Sequence, residues 1–424
     1  MDVIFSAFQW VTGLGGGGIL AIALFLLGLL FRVGFGKAVR SAITSAVGFI
    51  GLFLVVDMLT GIMGPATAAM VARLGWQLEI VDVGWGLIGM AWGAPVAPFI
   101  IITAIALNVV LILSRFTKTL MIDFWNYWSF CAAGALAYGA TQSIWFSVLT
   151  AAIYMAVCWK VADLVAKNYQ EFYGMPGITW PTGAVIPPII IGYPVIKLLQ
   201  RIPVIKDINV DPEHIQEKFG VLGEPVVIGA IMGWLIGVLA GYSVQEIIVM
   251  GLKMAAVLVL VPRMIQVLME GLLAISDGAQ EFTQKYFKGR EIYIGIDAST
   301  IMGHPATLSA ILIMTPIVTA MSILPGNRLL AVASLAAVPW FLIPLTSYAK
   351  GNVLHIVLAG IVVFAVYFWG ATALSGAHTQ LALITGFTMP EGAKMIGSLS
   401  EGGNFITWIM VEISKLLGMY TAPF

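Results

Sequence analysis

Asp297 is the residue whose type and setting best suit it to chemistry. It stands just before Gly303-His304-Pro305, a backbone break in an otherwise charge-free stretch. Irregular backbone at membrane depth survives only against protein or a water-filled cavity. A carboxylate there can accept hydrogen bonds from two hydroxyls of a polyol, or it can cap the short helix that follows. The second group is Asp123-Phe124-Trp125-Asn126-Tyr127-Trp128. Aromatic rings beside an amide and a carboxylate build sugar sites, the rings stacking on C–H faces while polar groups read hydroxyls. The same composition also builds an interfacial aromatic belt. A third stretch, from Gly174 to Thr182, holds Thr179 and Trp180 among two prolines and two glycines. It cannot be a regular helix, so it is a surface connection or a cavity wall. His304 and His378 suit substrate binding, proton carriage or backbone capping. Trp85 completes the candidates for substrate contact. Asp57, Glu270 and Asp277 are span-end residues or, in a gradient-driven transporter, coupling groups.

Other chemistry finds no support. Cys131 and Cys158 sit in apolar stretches without metal-ligand or disulfide spacing and are expected to be packing residues. Gly15–Gly18 lacks the Lys-Ser/Thr of a phosphate loop. Neither a GxSxG nucleophile nor an HExxH motif occurs. The expectation is no catalytic residue, no metal and no cofactor.

The elements that position these residues must be membrane helices. Of 424 residues 60% are hydrophobic and only 10% charged, with a mean hydropathy of +0.98. A soluble chain needs about a quarter of its residues charged. Lys+Arg and Asp+Glu balance at 21 each, which excludes a nucleic-acid binder acting through bulk positive charge. Residues 3–31, 83–114, 124–159, 172–196, 225–245, 298–327, 329–349 and 351–390 carry no charged side chain. A crossing needs about 20 residues, so the longer windows must break. Expected breaks are Gly93-Ala94-Pro95, Gly303-His304-Pro305, Tyr138-Gly139, and Gly376 or Gly386. The expectation is an all-α polytopic protein with about 10–11 crossings and no cleaved signal peptide. The basic loop of Arg32, Lys37 and Arg40 is placed in the cytoplasm.

A weak internal repeat accompanies these breaks. Trp92-Gly-Ala-Pro95 returns in shape as Met302-Gly-His-Pro305, 210 positions on, with Asp82 and Asp297 nearby. Segments 18–32 and 41–60 resemble 225–242 and 246–262, and Gly139 and Gly351 mark breaks at a similar offset. Duplicated transporter halves look like this. The expected organisation is a first half, 1–196, with a re-entrant segment near 83–95. A polar connection, 197–224, precedes a second half, 225–372, with a re-entrant segment near 293–305. C-terminal membrane segments, 373–424, complete it.

The halves, the broken helices and the run Gly295-Ile296-Asp297-Ala298 resemble the galactitol type of EIIC, the membrane component of the bacterial phosphoenolpyruvate-dependent phosphotransferase system. Ala377-His378-Thr379 and Gly402-Gly403-Asn404 carry the resemblance to the C-terminus. It implies two inverted repeats and a homodimer moving like an elevator in the inner membrane. It also implies transport of galactitol or a similar polyol, and phosphorylation by a separate EIIB subunit bearing a phosphocysteine, supplied by EIIA. In the related ascorbate permease an aspartate at the place of Asp297 contacts substrate, and the resemblance carries that role over. The same relative has His–Gln pairs where this chain has Trp125 to Ser129, and Thr179 with Trp180, which argues against ascorbate. Two readings of other classes remain: an ion-coupled secondary transporter of a small polar solute, and an integral membrane enzyme, for which no motif speaks.

Overall fold

A computed structural model describes residues 15–74, 78–123, 125–208, 210, 225–286, 291–390 and 393–423. Phe124, the second half of the polar connection (211–224) and the side chains of Asp57 and Asp277 lie outside the described residues. The first half runs α1 (Gly15–Leu30), α2 (Phe35–Leu74), β1 (Ile80–Asp82), α3 (Gly86–Gly93), α4 (Ala97–Leu113), β2 (Thr119–Met121), α5 (Tyr127–Thr141), α6 (Ile144–Tyr173), β3 (Ile178–Thr179) and α7 (Ile186–Leu199). The second runs α8 (Pro225–Ala240), α9 (Val244–Tyr286), β4 (Tyr293–Gly295), a 3-10 turn (Ala298–Ile301) and α10 (Pro305–Met321). It continues through β5 (Leu329–Leu330), a 3-10 turn (Ala333–Ala337), α11 (Val338–Thr346), α12 (Val353–Thr385), β6 (Met395–Gly397), a 3-10 turn (Glu401–Gly403) and α13 (Phe405–Leu416).

The element order repeats, and so do the lengths. Helices α1 and α8 each have 16 residues, α4 and α10 each 17, α2 and α9 have 40 and 43, and α6 and α12 have 30 and 33. The strands exchange between halves. One sheet has the order β5-β1-β6, the other β2-β4-β3, and every pairing is parallel. Each sheet thus takes its centre from one half and its edges from the other, as an approximate two-fold relation produces. Position 372 falls inside α12, and β6 to α13 repeats the order β3 to α7.

Sequence chemistry explains the breaks. Helix α3 ends at Gly93 and α4 starts at Ala97 with a proline in its first turn, the two bending by 85°. Pro305 opens α10 in the same way, where its missing N–H costs nothing. Gly386, left-handed at φ 68, closes α12. One expected break is corrected: Gly139 lies inside α5, and the chain turns at Gln142 instead, left-handed at φ 51. Gly139 serves packing, since a Cβ there would collide with the Ala377 carbonyl of α12. Gly376 likewise stays within α12. Among the described residues α6 and α12 are each long and apolar enough to cross a membrane, and the bent pair α3–α4 forms a third candidate. Shorter apolar helices include α7 and α10. Large apolar side chains such as Phe35, Ile102, Leu113 and Leu164 face outward.

Candidate functional site

All six strands are parallel within their sheets, so the loops leaving their C-terminal ends emerge on one edge of each sheet. Those loops supply most of the wall of a cavity. Trp85 follows β1, Trp125 and Asn126 follow β2, Ala184 follows β3, Asp297 follows β4, Ala337 follows β5, and Ser400 and Glu401 follow β6. Trp128 of α5, Trp340 and Phe341 of α11 and Tyr367 of α12 complete the lining.

The polar side centres on Asn126. Its Nδ2 donates to Asp123 Oδ2 at 2.5 Å and to Asp297 Oδ2. Two carboxylates as neighbours require the amide nitrogen, not the oxygen, to face them. The other Asp297 oxygen accepts from the Ser299 backbone N–H at 2.5 Å and caps the 3-10 turn. Asp297 is therefore a cap, one of the two roles the sequence leaves open for it, and it also lines the cavity, where the other role would be exercised. The backbone N–H of Asn126 donates to Asp123 Oδ1 at 3.3 Å. Asp123 lies behind the first cavity and lines a second, mostly apolar one between the strand ends and Leu24, Phe49 and Leu268 of α1, α2 and α9.

The aromatic side is a cluster of indoles. Trp85 lies 5.1 Å from Trp340 and 6.1 Å from Trp128, centroid to centroid. Tyr127 and Trp128 are buried and Trp125 lines the cavity, so this segment faces inward rather than forming a belt. The structure brings together Asp297, Asn126, Trp125 and Trp85, with Asp123 directly behind. It sets Thr179, Trp180 and His304 outside the cavity lining. Trp180 is buried and its indole N–H donates to Thr300 Oγ1 at 2.7 Å, while the Thr300 hydroxyl donates to the Asp297 carbonyl at 2.8 Å. The Thr179 hydroxyl pairs with that of Thr119 at 3.2 Å, linking β3 to β2. His304 Nδ1 accepts the Ala306 N–H at 3.2 Å as the cap of α10, and its ring lies 5.0 Å from that of Phe172. Trp180, through Thr300, and the Thr179 carbonyl, through Ile296 N, hold the Asp297 turn from behind, while His304 holds the start of α10.

Among the described residues no Lys, Arg or His lines the cavity, which joins two carboxylates, an amide and a serine to aromatic faces. Such a wall suits a neutral ligand rich in hydroxyl donors and disfavours an anion. Residues 16–392 match the family model EIIC-GAT, the PTS system sugar-specific permease component. A putative permease IIC component of Escherichia coli K12 is 34% identical over 96% of this chain and 94% of its own length. A PTS system galactitol-specific EIIC component of the same strain is 33% identical over 96% of this chain and 90% of its own. The chain belongs to the EIIC-GAT family. It is a predominantly α-helical, polytopic membrane permease component of the phosphotransferase system, working with EIIA and EIIB components.

Sequence reasoning missed part of this permease's cavity. Glu401 is buried at 2% exposure, and its Oε2 accepts from Tyr154 Oη at 2.9 Å and Asn404 Nδ2 at 2.7 Å. Its neighbours Gly402-Gly403-Asn404 were legible as a motif, and an acidic residue directly before them was the available signal. Trp340 stands in a charge-free window and carried no signal of its own. Cys131 and Cys158 are both fully buried, in keeping with packing. Asp82, paired with Asp297 in the sequence repeat, is a structural tie. It accepts from the backbones of Gly84, Val332 and Ser334 and from the Ser334 hydroxyl at 2.6–2.9 Å.

Proposed function

We propose that this permease component carries galactitol or a closely related hexitol, bound in the cavity between the Asp297–Asn126 pair and the Trp85–Trp128–Trp340 cluster. One observation carries the reading: a cavity that offers carboxylate acceptors and indole faces and, among the described residues, no cation. Carboxylates accept hydrogen bonds from hydroxyls, and aromatic rings cover the C–H faces of a polyol. The galactitol-specific name of a relative at 33% identity points to the same substrate class. Phosphorylation by the EIIB phosphocysteine would yield galactitol 1-phosphate. A phosphate dianion beside Asp297 and Glu401 would be repelled, which favours release and trapping of the product. In this reading the protein holds the acceptor hydroxyl and carries no phosphate itself. It resides in the bacterial inner membrane, its outward apolar side chains against lipid, as a homodimer in which one part of each protomer moves.

The test is uptake and phosphorylation of labelled galactitol in a host lacking this chain, with and without the chain restored, in the presence of its EIIA and EIIB partners. Restoration should bring back both activities together. Uptake that accumulates unmodified galactitol without the phosphotransfer proteins would establish ion-coupled transport instead. Galactitol handling that does not depend on the chain would refute the substrate.

A further inference from the structure

We propose that Glu401 is a second hydroxyl reader of the cavity, a specificity-determining carboxylate separate from the Asp297 pair. The inference rests on the polyol reading above. Both Glu401 and Asp297 line the cavity, but they come from different sheets, after β6 and β4. One Glu401 oxygen, Oε2, is fixed by Tyr154 and Asn404. The other, Oε1, is buried and makes no hydrogen bond. The Ser129 hydroxyl lies beside the carboxylate, yet it too falls short of hydrogen-bond geometry. A buried carboxylate oxygen left without a donor is costly, and the natural donor in a polyol cavity is a ligand hydroxyl.

The backbone around Glu401 is built to hold that oxygen in place. A Cβ on Gly403 would collide with the Tyr367 carbonyl, and one on Gly370 with the Gly403 carbonyl, so the turn lies directly on α12. A Cβ on Gly183 would come within 2.7 Å of the Tyr154 hydroxyl and 3.0 Å of Glu401 Oε1. Three glycines thus admit the close approach of turn, helix and carboxylate. Asn404, besides holding Glu401, caps α13 through its side-chain oxygen, which accepts from Ile406 N at 2.9 Å. Two donors on Oε2 and the closely packed turn thus restrain the carboxylate. It is positioned before any ligand arrives, as a group that selects among hydroxyl patterns must be.

The experiment measures binding of galactitol and a set of monodeoxygalactitols to the purified full-length protein, for the parent, Glu401→Gln and Tyr154→Phe. Glu401→Gln should weaken galactitol about tenfold or more, the scale of one lost hydrogen bond to a charged group. One deoxy position should weaken binding to the parent yet have little further effect in Glu401→Gln, because the variant has already lost that contact. Tyr154→Phe removes one of the two donors that fix Oε2, loosening the carboxylate, and should reduce discrimination at the same position. A purely structural Glu401 would lower affinity for every analogue equally. Equal loss across the set, or galactitol binding unchanged in a folded Glu401→Gln, overturns the inference while leaving the galactitol reading intact. If Glu401→Gln does not fold, Tyr154→Phe decides: parental discrimination in that variant overturns the inference. A parent that binds no hexitol overturns the galactitol reading, and the inference with it.

Discussion

Replacing Asp297 by Asn tests the site through a conflict that the geometry imposes. One Asp297 oxygen accepts the Ser299 N–H and the other accepts the Asn126 amide. An Asn side chain has one acceptor and one donor. Whichever way its amide turns, its NH2 faces either the Ser299 N–H or the Asn126 NH2. If the cap is lost, about 1 kcal/mol of stability goes with it. If the cap is kept, the bond to Asn126 becomes a donor facing a donor. In both cases the charge that a substrate hydroxyl would meet is gone, which costs about 1.5–3 kcal/mol, or roughly tenfold to a hundredfold in affinity. Isothermal titration of galactitol into purified Asp297→Asn reads this directly, with the melting temperature recorded alongside. Asp82→Asn is the control. Asp82 accepts four hydrogen bonds from loop residues of both halves and does not line the cavity. It should lose about 1–3 kcal/mol of stability, while the folded protein keeps its parental affinity. Parental binding by a folded Asp297→Asn would refute the argument, since the carboxylate would then be a cap alone.

Three further outcomes follow from the packing. Gly370→Ala must push the Glu401 turn off α12, so the melting temperature should fall with about 1–3 kcal/mol of overpacking and galactitol affinity should fall with it; an unchanged melting temperature would contradict the close approach. Cys131 and Cys158, both fully buried, should resist maleimide in the folded protein and react only on denaturation, and neither should be labelled by phosphate from phosphoenolpyruvate when EIIA and EIIB turn over. Cysteines placed at Ile80 and Met395, opposite each other in β1 and β6, should form a disulfide that leaves transport intact; loss of transport on oxidation, restored by reductant, would mean that the sheet opens during the cycle.

The helices and their breaks were legible because lipid leaves a coarse signature: charge-free windows too long for one crossing, interrupted by Gly-x-Pro. Gly93-Ala94-Pro95 and Gly303-His304-Pro305 are breaks in the structure as in the sequence. Gly139 misled because a glycine admits close helix contact as readily as a turn, and only the position of Ala377 separates the two uses. The strands were invisible. Runs of two or three residues such as Ile178–Thr179 have no measurable period, yet they decide which loops meet. Asp297, Asn126 and Trp125 could be named from their types, while Glu401 and Trp340 join them only through pairings between distant segments. Thr179 and Trp180 show the reverse: conspicuous in sequence, they lie one layer behind the cavity.

The exchange of strands also constrains how substrate can move. Each sheet takes its centre from one half and its edges from the other, so the halves cannot slide past one another without breaking backbone hydrogen bonds. Inside a membrane those bonds have no water to replace them. A displacement that carries the cavity must therefore carry both sheets whole, with Asp82 and Asp297 fixed in their loops. The helices α1, α2, α8 and α9 pack mainly on one another, with smaller contacts from α8 to α10 and from α2 and α9 to the 3-10 turns Ala333–Ala337 and Ala298–Ile301. Between that group and the strand ends lies the second cavity, walled on one side by Leu24, Phe49 and Leu268 and on the other by Asp123 and Asp297. Its mostly apolar walls carry few hydrogen bonds to break, unlike either sheet. If one part of the protomer moves against another, this is where the parting surface costs least, and it runs directly beside the carboxylates proposed to hold the substrate.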